Sequence, residues 1–206
     1  MIKVEKIDVW GFVHALRGMR NPLESWEKSD SAVIGENLII GESDFRLMEY
    51  LVVAGTEHRK FMRQILVSFD ITAPLYWWKE FDTYKVGTVA NSCSTMHNIH
   101  KRDLTIEDFS CEYLDNGVNY EEKIGIFKTL IECINTLRKM YIHTKNKRYW
   151  YSIIQLLPSS YNQKRTITMN YENAYTIIQQ RQNHKLDEWH KFCDTLTELP
   201  HMKRLL

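Results

Sequence analysis

The sequence lacks a dominant charge. Lys and Arg together number 27 against 26 for Asp and Glu in 206 residues, a formal net charge of +1. No overall field draws the chain to nucleic acid or to an anionic membrane, so an anionic ligand has to be met by a local cluster. Cysteine is also scarce. Cys93, Cys111, Cys133 and Cys193 lie far apart, with no CxxC pair and no Cys/His group at metal spacing. That excludes a disulfide framework and a zinc site, and leads to the expectation of a reduced, cytoplasmic protein without a metal. No apolar run approaches the ~18 residues of a membrane helix. The opening MIKVEKIDVWGF breaks its apolar residues with charges and has no small-residue cleavage site, so neither a membrane span nor a signal peptide is expected. There is no repeat, low-complexity tract or linker. With 44% hydrophobic and 26% charged residues, the expectation is one globular domain over residues 1–206.

What is present is a series of periodic segments. Ile2, Val4, Ile7 and Val9 with charges between them suggest an edge strand or a bulged strand. Residues 20–37 read as polar loop with one helical turn. A helix is expected from Ser43 or Asp44, either able to cap it, with Phe45, Met48, Leu51 and Val52 inward and Gly55 as its stop. Ile65, Val67, Phe69 and Ile71 alternate with Leu66, Ser68, Asp70 and Thr72, the clearest strand in the chain. Pro74 then suits the first turn of a short helix, LYWWKEF. In that helix at least one of Trp77 and Trp78 must face the core.

Residues 82–118 are polar, with no sustained period, and read as one long irregular segment of functional length. Asn119 and Glu122 suggest a capping box for a long helix carrying Ile124, Phe127, Leu130, Ile131, Ile134, Leu137 and Tyr141. A helix near Lys145 to Leu157 stops at Pro158. A short strand (Thr166 to Met169), a helix from Asn170 to Arg181 and a last helix from Lys185 to Leu199 complete the chain. RKMYIHTKNKRYW, Arg138 to Trp150, is basic and aromatic, as nucleic-acid binders are. Without a nucleic-acid motif it reads as a solvated helix junction.

Three stretches, in this order, carry a resemblance: MRNPLESWEKSDS, LMEYLVVAGTEHRKFMRQILVSFDITAPLYWWKEF and LLPSSYNQKRTITMNYENAYTIIQQRQNHKLDEW. Together they resemble the flavin-dependent thymidylate synthases over about two thirds of the chain. The resemblance implies an α/β (α+β) fold with a central antiparallel or mixed sheet and long helices. It also implies a homotetramer with shared active sites, and FAD carrying hydride from NADPH to dUMP while methylenetetrahydrofolate supplies the carbon. The cofactor performs the hard chemistry, and the protein supplies placement and charge.

The family motif reads Arg-His-Arg, two residues, Ser, one residue, Asn, two residues, Ser, one residue, Arg. Counting from Ala73-Pro74, the corresponding positions are Thr83, Tyr84, Lys85, Thr88, Ala90, Cys93 and Thr95. Lys85 keeps a charge and Thr88 a hydroxyl. The resemblance implies that Tyr84, Lys85 and Thr88, with Asn170 at the start of the Asn170–Arg181 helix, bind the flavin. Locally, Asn170 is equally a helix cap and the DTYK segment equally a surface turn. Asn91, Cys93, Ser94 and Thr95 fall where the family grips the substrate phosphate, and small polar groups with backbone amides can cradle an anion. Thr95 and Ile154 stand at phosphate-arginine positions, with Lys101, Arg102 and Arg165 as candidate replacements. Glu80 replaces a substrate-side glutamine. Glu172 stands where the family has arginine, Arg63 where it often has glutamate, and His58 near the flavin entrance.

Arg181 is the foremost candidate. It ends an otherwise apolar helix face, and a cation pointing inward needs a partner. The resemblance makes it the group that hydrogen-bonds the pyrimidine and stabilises charge developing on the ring. A cation complementing the helix C-terminus is the other reading. Two functions follow: a thymidylate-synthase-like enzyme, or a relative with the fold but a different role. The latter acts on another pyrimidine nucleotide, or binds nucleotide or flavin without catalysis, or is a structural protein. Glu80 points to cytidine in the first case, since a carboxylate accepts from its exocyclic amine.

Overall fold

A computed structural model describes residues 2–114 and 117–206. A four-stranded antiparallel sheet has the order β1-β4-β6-β5, with β1 at Lys3–Trp10, β4 at Leu66–Pro74, β5 at Thr88–Ser92 and β6 at Asn162–Asn170. The chain forms two compact units. One comprises Ile71–Thr83, Asn91–Arg165 and the extreme N-terminal residues. The other comprises Val4–Asp70, Tyr84–Ala90 and Thr166–Leu206. No helix of the described residues is long and apolar enough to cross a membrane.

In the second unit, α2 (Glu42–Val53), α7 (Tyr171–Arg181) and α8 (Asp187–Thr197) bury Met48, Ile177 and Phe192 together with Ile65, Val67 and Phe69 of the β4 region. Each of these residues is at most 1% exposed, worth about 1.5–3 kcal/mol per large apolar side chain. β1 lies at a sheet edge, and Lys6 within it takes φ 52°, in the left-handed region.

Two elements of this unit go beyond the sequence reading. Helix α1 (Phe12–Arg20) buries Ala15, Leu16 and Met19. It starts at Gly11, whose φ of 101° and closeness to the Gln64 carbonyl (2.1 Å from an added Cβ) admit only glycine. Residues 20–37 are not simply loop: β2 (Ala32–Ile34) and β3 (Asn37–Ile39) form a hairpin across Gly35-Glu36.

The start of α2 is a correction with a physical reason. Neither Ser43 nor Asp44 caps it; the N-cap is Gly41. The free amides of Ser43 and Asp44 donate to the Asp30 carboxylate at 2.9 and 3.1 Å. Asp44 is thereby left to form a buried ion pair with Arg20 at 2.6 Å and to accept from Ser29 and Ser31.

In the first unit, α3 (Leu75–Phe81) follows Pro74, which is the N-cap rather than the first helical residue. The amides of Leu75 and Tyr76 donate to the Tyr161 and Ser159 carbonyls at 3.0 Å. Trp77 and Trp78 are both buried, and Trp78 Nε1 donates to the Gln163 carbonyl. The long helix α5 (Tyr120–Thr144) packs on α6 (Lys147–Leu156) through Phe127, Ile131, Ile134 and Ile153. The expected Asn119–Glu122 capping box is absent, because Asn119 itself adopts φ 59° and makes no side-chain cap. Arg138 to Trp150 spans the α5–α6 junction.

The irregular reading of residues 82–118 is also corrected. It holds β5, the short helix α4 (Thr95–Asn98) and a 3-10 turn at Ile106–Asp108. Residues 115 and 116 lie outside the described part.

Candidate functional site

Of the residues proposed to meet substrate, Cys93, Ser94 and Thr95 line one cavity within the first unit, whereas Arg181 belongs to the second unit. Cys93, at the end of β5, with Ser94 and Thr95 at the start of α4, lines a cavity of about 260 Å3 together with Arg102, Asp108 and Tyr161. Gln163 of β6 fixes this wall: its Nε2 donates to the Cys93 carbonyl at 2.9 Å and to Thr95 Oγ1 at 3.1 Å. The Cys93 amide donates to the Lys164 carbonyl at 2.8 Å. Ser94 caps α4 by accepting from the His97 amide, and Asn98 Nδ2 donates to the Ser94 carbonyl at 2.8 Å. Behind the lining, the segment from His100 to Leu104, which brackets Arg102, is anchored to α5. Asn135 bonds both the amide and the carbonyl of Leu104, while Arg138 clasps Asp103 and the His100 carbonyl.

The three candidate replacement cations have different fates. Arg102 is on the cavity wall but forms a two-point pair with Asp108, at 2.8 Å for the Nη1–Oδ2 contact. Burial raises the Asp108 pKa, but the bonds from Arg102 and the Thr105 amide outweigh it and hold the carboxyl below its ordinary value. Burial, with Asp108 next, pushes the Tyr161 phenol up. Arg165 is spent elsewhere: it donates to Gln163 and Asp82 at 2.9 and 2.7 Å and stacks 4.2 Å from the Trp78 ring. Lys101 is exposed and outside the cavity wall. Asn91 is exposed on β5, and Glu80 is half-buried in the last turn of α3; neither belongs to the wall.

The flavin candidates lie in the second unit, where residues 84–88 run along α7. At one end, Arg181 Nε donates to the Tyr84 hydroxyl at 2.9 Å, and that hydroxyl donates to Gln180 Oε1 at 3.0 Å. The Arg181 guanidinium also stands 4.8 Å from the Trp189 ring and 5.7 Å from the Tyr84 ring, close enough for cation–π attraction. At the other end, Asn173 Nδ2 donates to the Val86 carbonyl at 2.6 Å and to Thr88 Oγ1 at 3.0 Å. Asn170 caps α7, its side chain accepting from the Asn173 amide at 2.9 Å. Gly87, at φ 70°, leaves only 2.6 Å between an added Cβ and Asn170 Nδ2. Lys85 is exposed on this loop. Cys193, close to Arg181 in charge terms, has its thiol pushed up to about 11 by burial, so it is no nucleophile at neutral pH.

The two charge departures meet each other. Glu172 accepts from Arg63 and from Arg59, the latter at 3.1 Å. Burial raises the Glu172 pKa, yet the two arginines together hold it below its ordinary value. The sequence reading placed these residues singly and missed their pairing, along with Arg102–Asp108, Gln163 and Asn173.

No protein-family model matches the chain, and no curated protein matches its sequence. Solved structures do. Thymidylate synthase X from Helicobacter pylori with FAD and dUMP aligns at TM-score 0.73 and 15% identity, covering 100% of this chain and 97% of that one. A second structure of flavin-dependent thymidylate synthase ThyX from Helicobacter pylori, complexed with FAD and dUMP, aligns at TM-score 0.70 and 15% identity over 98% of both chains. The UMP/dUMP methylase PolB from Streptomyces cacaoi, bound with 5-Br dUMP, aligns at TM-score 0.66 and 13% identity, covering 99% of this chain and 93% of that one. The chain has the fold of the flavin-dependent thymidylate synthases.

Proposed function

We propose that this protein is a flavin-dependent enzyme that methylates C5 of a pyrimidine, the reaction type of thymidylate synthesis from dUMP. The supporting observation is the convergence of Cys93, Ser94 and Thr95, the substrate positions of the family motif, on one cavity. In this reading a methylene carbon from methylenetetrahydrofolate joins C5, the C5 proton leaves, and a hydride originating from NADPH completes the methyl group.

FAD, when bound, supplies that hydride. The 84–88 loop fits such a group in its chemistry, with an exposed cation at Lys85 for a diphosphate and a glycine at Gly87 that removes side-chain bulk. Arg181 presents a guanidinium fixed by Tyr84, which suits it to hold a pyrimidine carbonyl and stabilise charge on the ring. A homotetramer with active sites shared between subunits belongs to the same reading, as does a cytoplasmic setting.

A second reading, a different pyrimidine substrate, is favoured by the pairing of Arg102 with Asp108. The deciding experiment uses purified protein incubated with FAD, desalted and assayed for tritium release from C5 of dUMP. Retained yellow colour with release is the expected result. A colourless protein overturns the enzyme, whereas colour without release moves the assignment to the second reading.

A further inference from the structure

We infer that Arg165 and Gln163 set the Thr95 hydroxyl as a hydrogen-bond donor into the cavity beside α4, where it meets an oxygen of the substrate phosphate. The inference deepens the proposed function and rests on its reading of the Cys93–Thr95 wall as the phosphate side of the site. Gln163 is here a positioning residue, because it acts through Thr95.

The direction of this series of hydrogen bonds follows from its two ends. Arg165 carries only donors and keeps its proton. Its Nε donates to Gln163 Oε1 at 2.9 Å. Asp82 holds the guanidinium in place by accepting from Nη1 at 2.7 Å, and the Trp78 ring covers it at 4.2 Å. At the other end the Cys93 carbonyl can only accept, and Gln163 Nε2 donates to it at 2.9 Å. The amide of Gln163 therefore has one orientation. Turned over, it would set donor against donor at Arg165 and acceptor against acceptor at Cys93.

In that orientation Nε2 also donates to Thr95 Oγ1 at 3.1 Å. The bond occupies a lone pair of the hydroxyl and leaves its single O–H to donate elsewhere. Thr95 lines the cavity, and its hydroxyl proton meets no acceptor among the described residues. A ligand atom at this point has to accept, and a phosphate oxygen is the strongest acceptor that a pyrimidine nucleotide brings. Thr95 stands where the family motif has arginine. The series replaces that charge by a neutral donor, polarised from its far end by the Arg165 guanidinium.

The test is the affinity of the full chain, saturated with FAD, for dUMP and for 2′-deoxyuridine. FAD retention is scored separately by colour. Thr95→Val is expected to weaken dUMP about tenfold and to leave deoxyuridine within roughly twofold, the loss of one hydrogen bond to a charged group. Thr95→Ser keeps the hydroxyl and should keep the affinity. Gln163→Glu still accepts from Arg165 but turns its second oxygen on Thr95, so the hydroxyl donates backwards. It should weaken dUMP at least as much while sparing deoxyuridine. Adding Thr95→Val to it should cost less than in the unaltered protein, because the hydroxyl is already turned away. Unchanged dUMP affinity in Thr95→Val overturns the inference and leaves the flavin enzyme standing. A loss shared equally by dUMP and deoxyuridine also overturns it, since it marks a purely structural role. If the yellow, unaltered protein binds dUMP no more tightly than deoxyuridine, the phosphate reading of the wall falls and the inference with it. A colourless protein that binds neither defeats the whole functional reading. If Gln163→Glu fails to fold, the Thr95 variants still decide.

Discussion

The Tyr84 hydroxyl sits between Arg181 and Gln180, accepting from the arginine Nε at 2.9 Å and donating to the amide oxygen at 3.0 Å. A tyrosine therefore holds the end of α7 at a position where the family resemblance leads one to expect histidine. The Tyr84 ring also packs edge-on to Trp189 at 6.0 Å, so the guanidinium is fixed by rings as well as by a hydrogen bond.

Tyr84→Phe keeps the ring contacts and deletes the hydroxyl. A part-buried hydrogen bond of this kind contributes about 0.5–1.5 kcal/mol. The urea midpoint is expected to fall accordingly, and FAD binding to weaken as Arg181 loosens. An unchanged midpoint with unchanged FAD affinity would show that the bond holds nothing in place.

Gly87→Ala should be worse than a surface glycine replacement. The residue has φ 70°, and the added methyl carbon would stand 2.6 Å from Asn170 Nδ2. The strain of the left-handed backbone alone costs roughly 1–2 kcal/mol, and relief of the contact requires the Asn170 amide or the 84–88 loop to shift. Thermal denaturation and FAD titration of this variant should both shift. A variant with normal FAD affinity removes this loop from the flavin site.

The Arg63–Glu172 pair lends itself to a double-mutant cycle. Arg63→Glu places a carboxylate against Glu172, and Glu172→Arg places three guanidinium groups together with Arg59 and Arg63. Combining the two restores an opposite-charge pair. The coupling is expected to be favourable by about 0.5–3 kcal/mol, read from chemical denaturation. Strict additivity would mean that the reversed charges do not act on one another.

Acid should unfold the second unit through Asp44 and Glu172. Desolvation raises both carboxyl pKa values, but hydrogen bonds outweigh it, from Ser31, Ser29 and Arg20 for Asp44 and from Arg63 and Arg59 for Glu172. Their folded pKa values lie below the ordinary 3.8 and 4.5. Their stabilisation is therefore complete above those ordinary values and lost as pH falls through them towards the folded pKa. Asp44→Asn leaves Arg20, 4% exposed, without its counter-charge, at a cost of about 3–5 kcal/mol. That variant should also show a shallower loss of stability between neutral and acid pH, measured by urea titration at each pH.

Much of this architecture is readable from local pattern. Ile65, Val67, Phe69 and Ile71 alternate, and all four are buried; Phe127, Ile131 and Ile134 keep helical spacing and face the α6 side. Gly55 ends α2 in a left-handed conformation, as expected. What failed to show depends on partners far away in sequence. Asp30 serves the amides of Ser43 and Asp44, and Gly11 is required by the Gln64 carbonyl. No local period encodes either relation. The same holds for the site. Collinearity brought Cys93, Ser94 and Thr95 into view, but Gln163, which fixes their wall from 68 residues away at Thr95, carries no local signal. Asn91 and Glu80 were named from the family resemblance alone, and lie off the wall.

The polar knot around Asp44 bears on how the chain tolerates cutting. Arg20 and Asp44 are 24 residues apart and joined out of solvent, and Ser29, Ser31 and Asp30 fasten the intervening stretch to the start of α2. A protease that severs the exposed Gly35-Glu36 tip breaks one peptide bond but leaves every one of these fastenings in place. The two fragments stay joined as a noncovalent pair, held by this knot and by the buried face of α1, and they part only when acid or denaturant melts the whole unit.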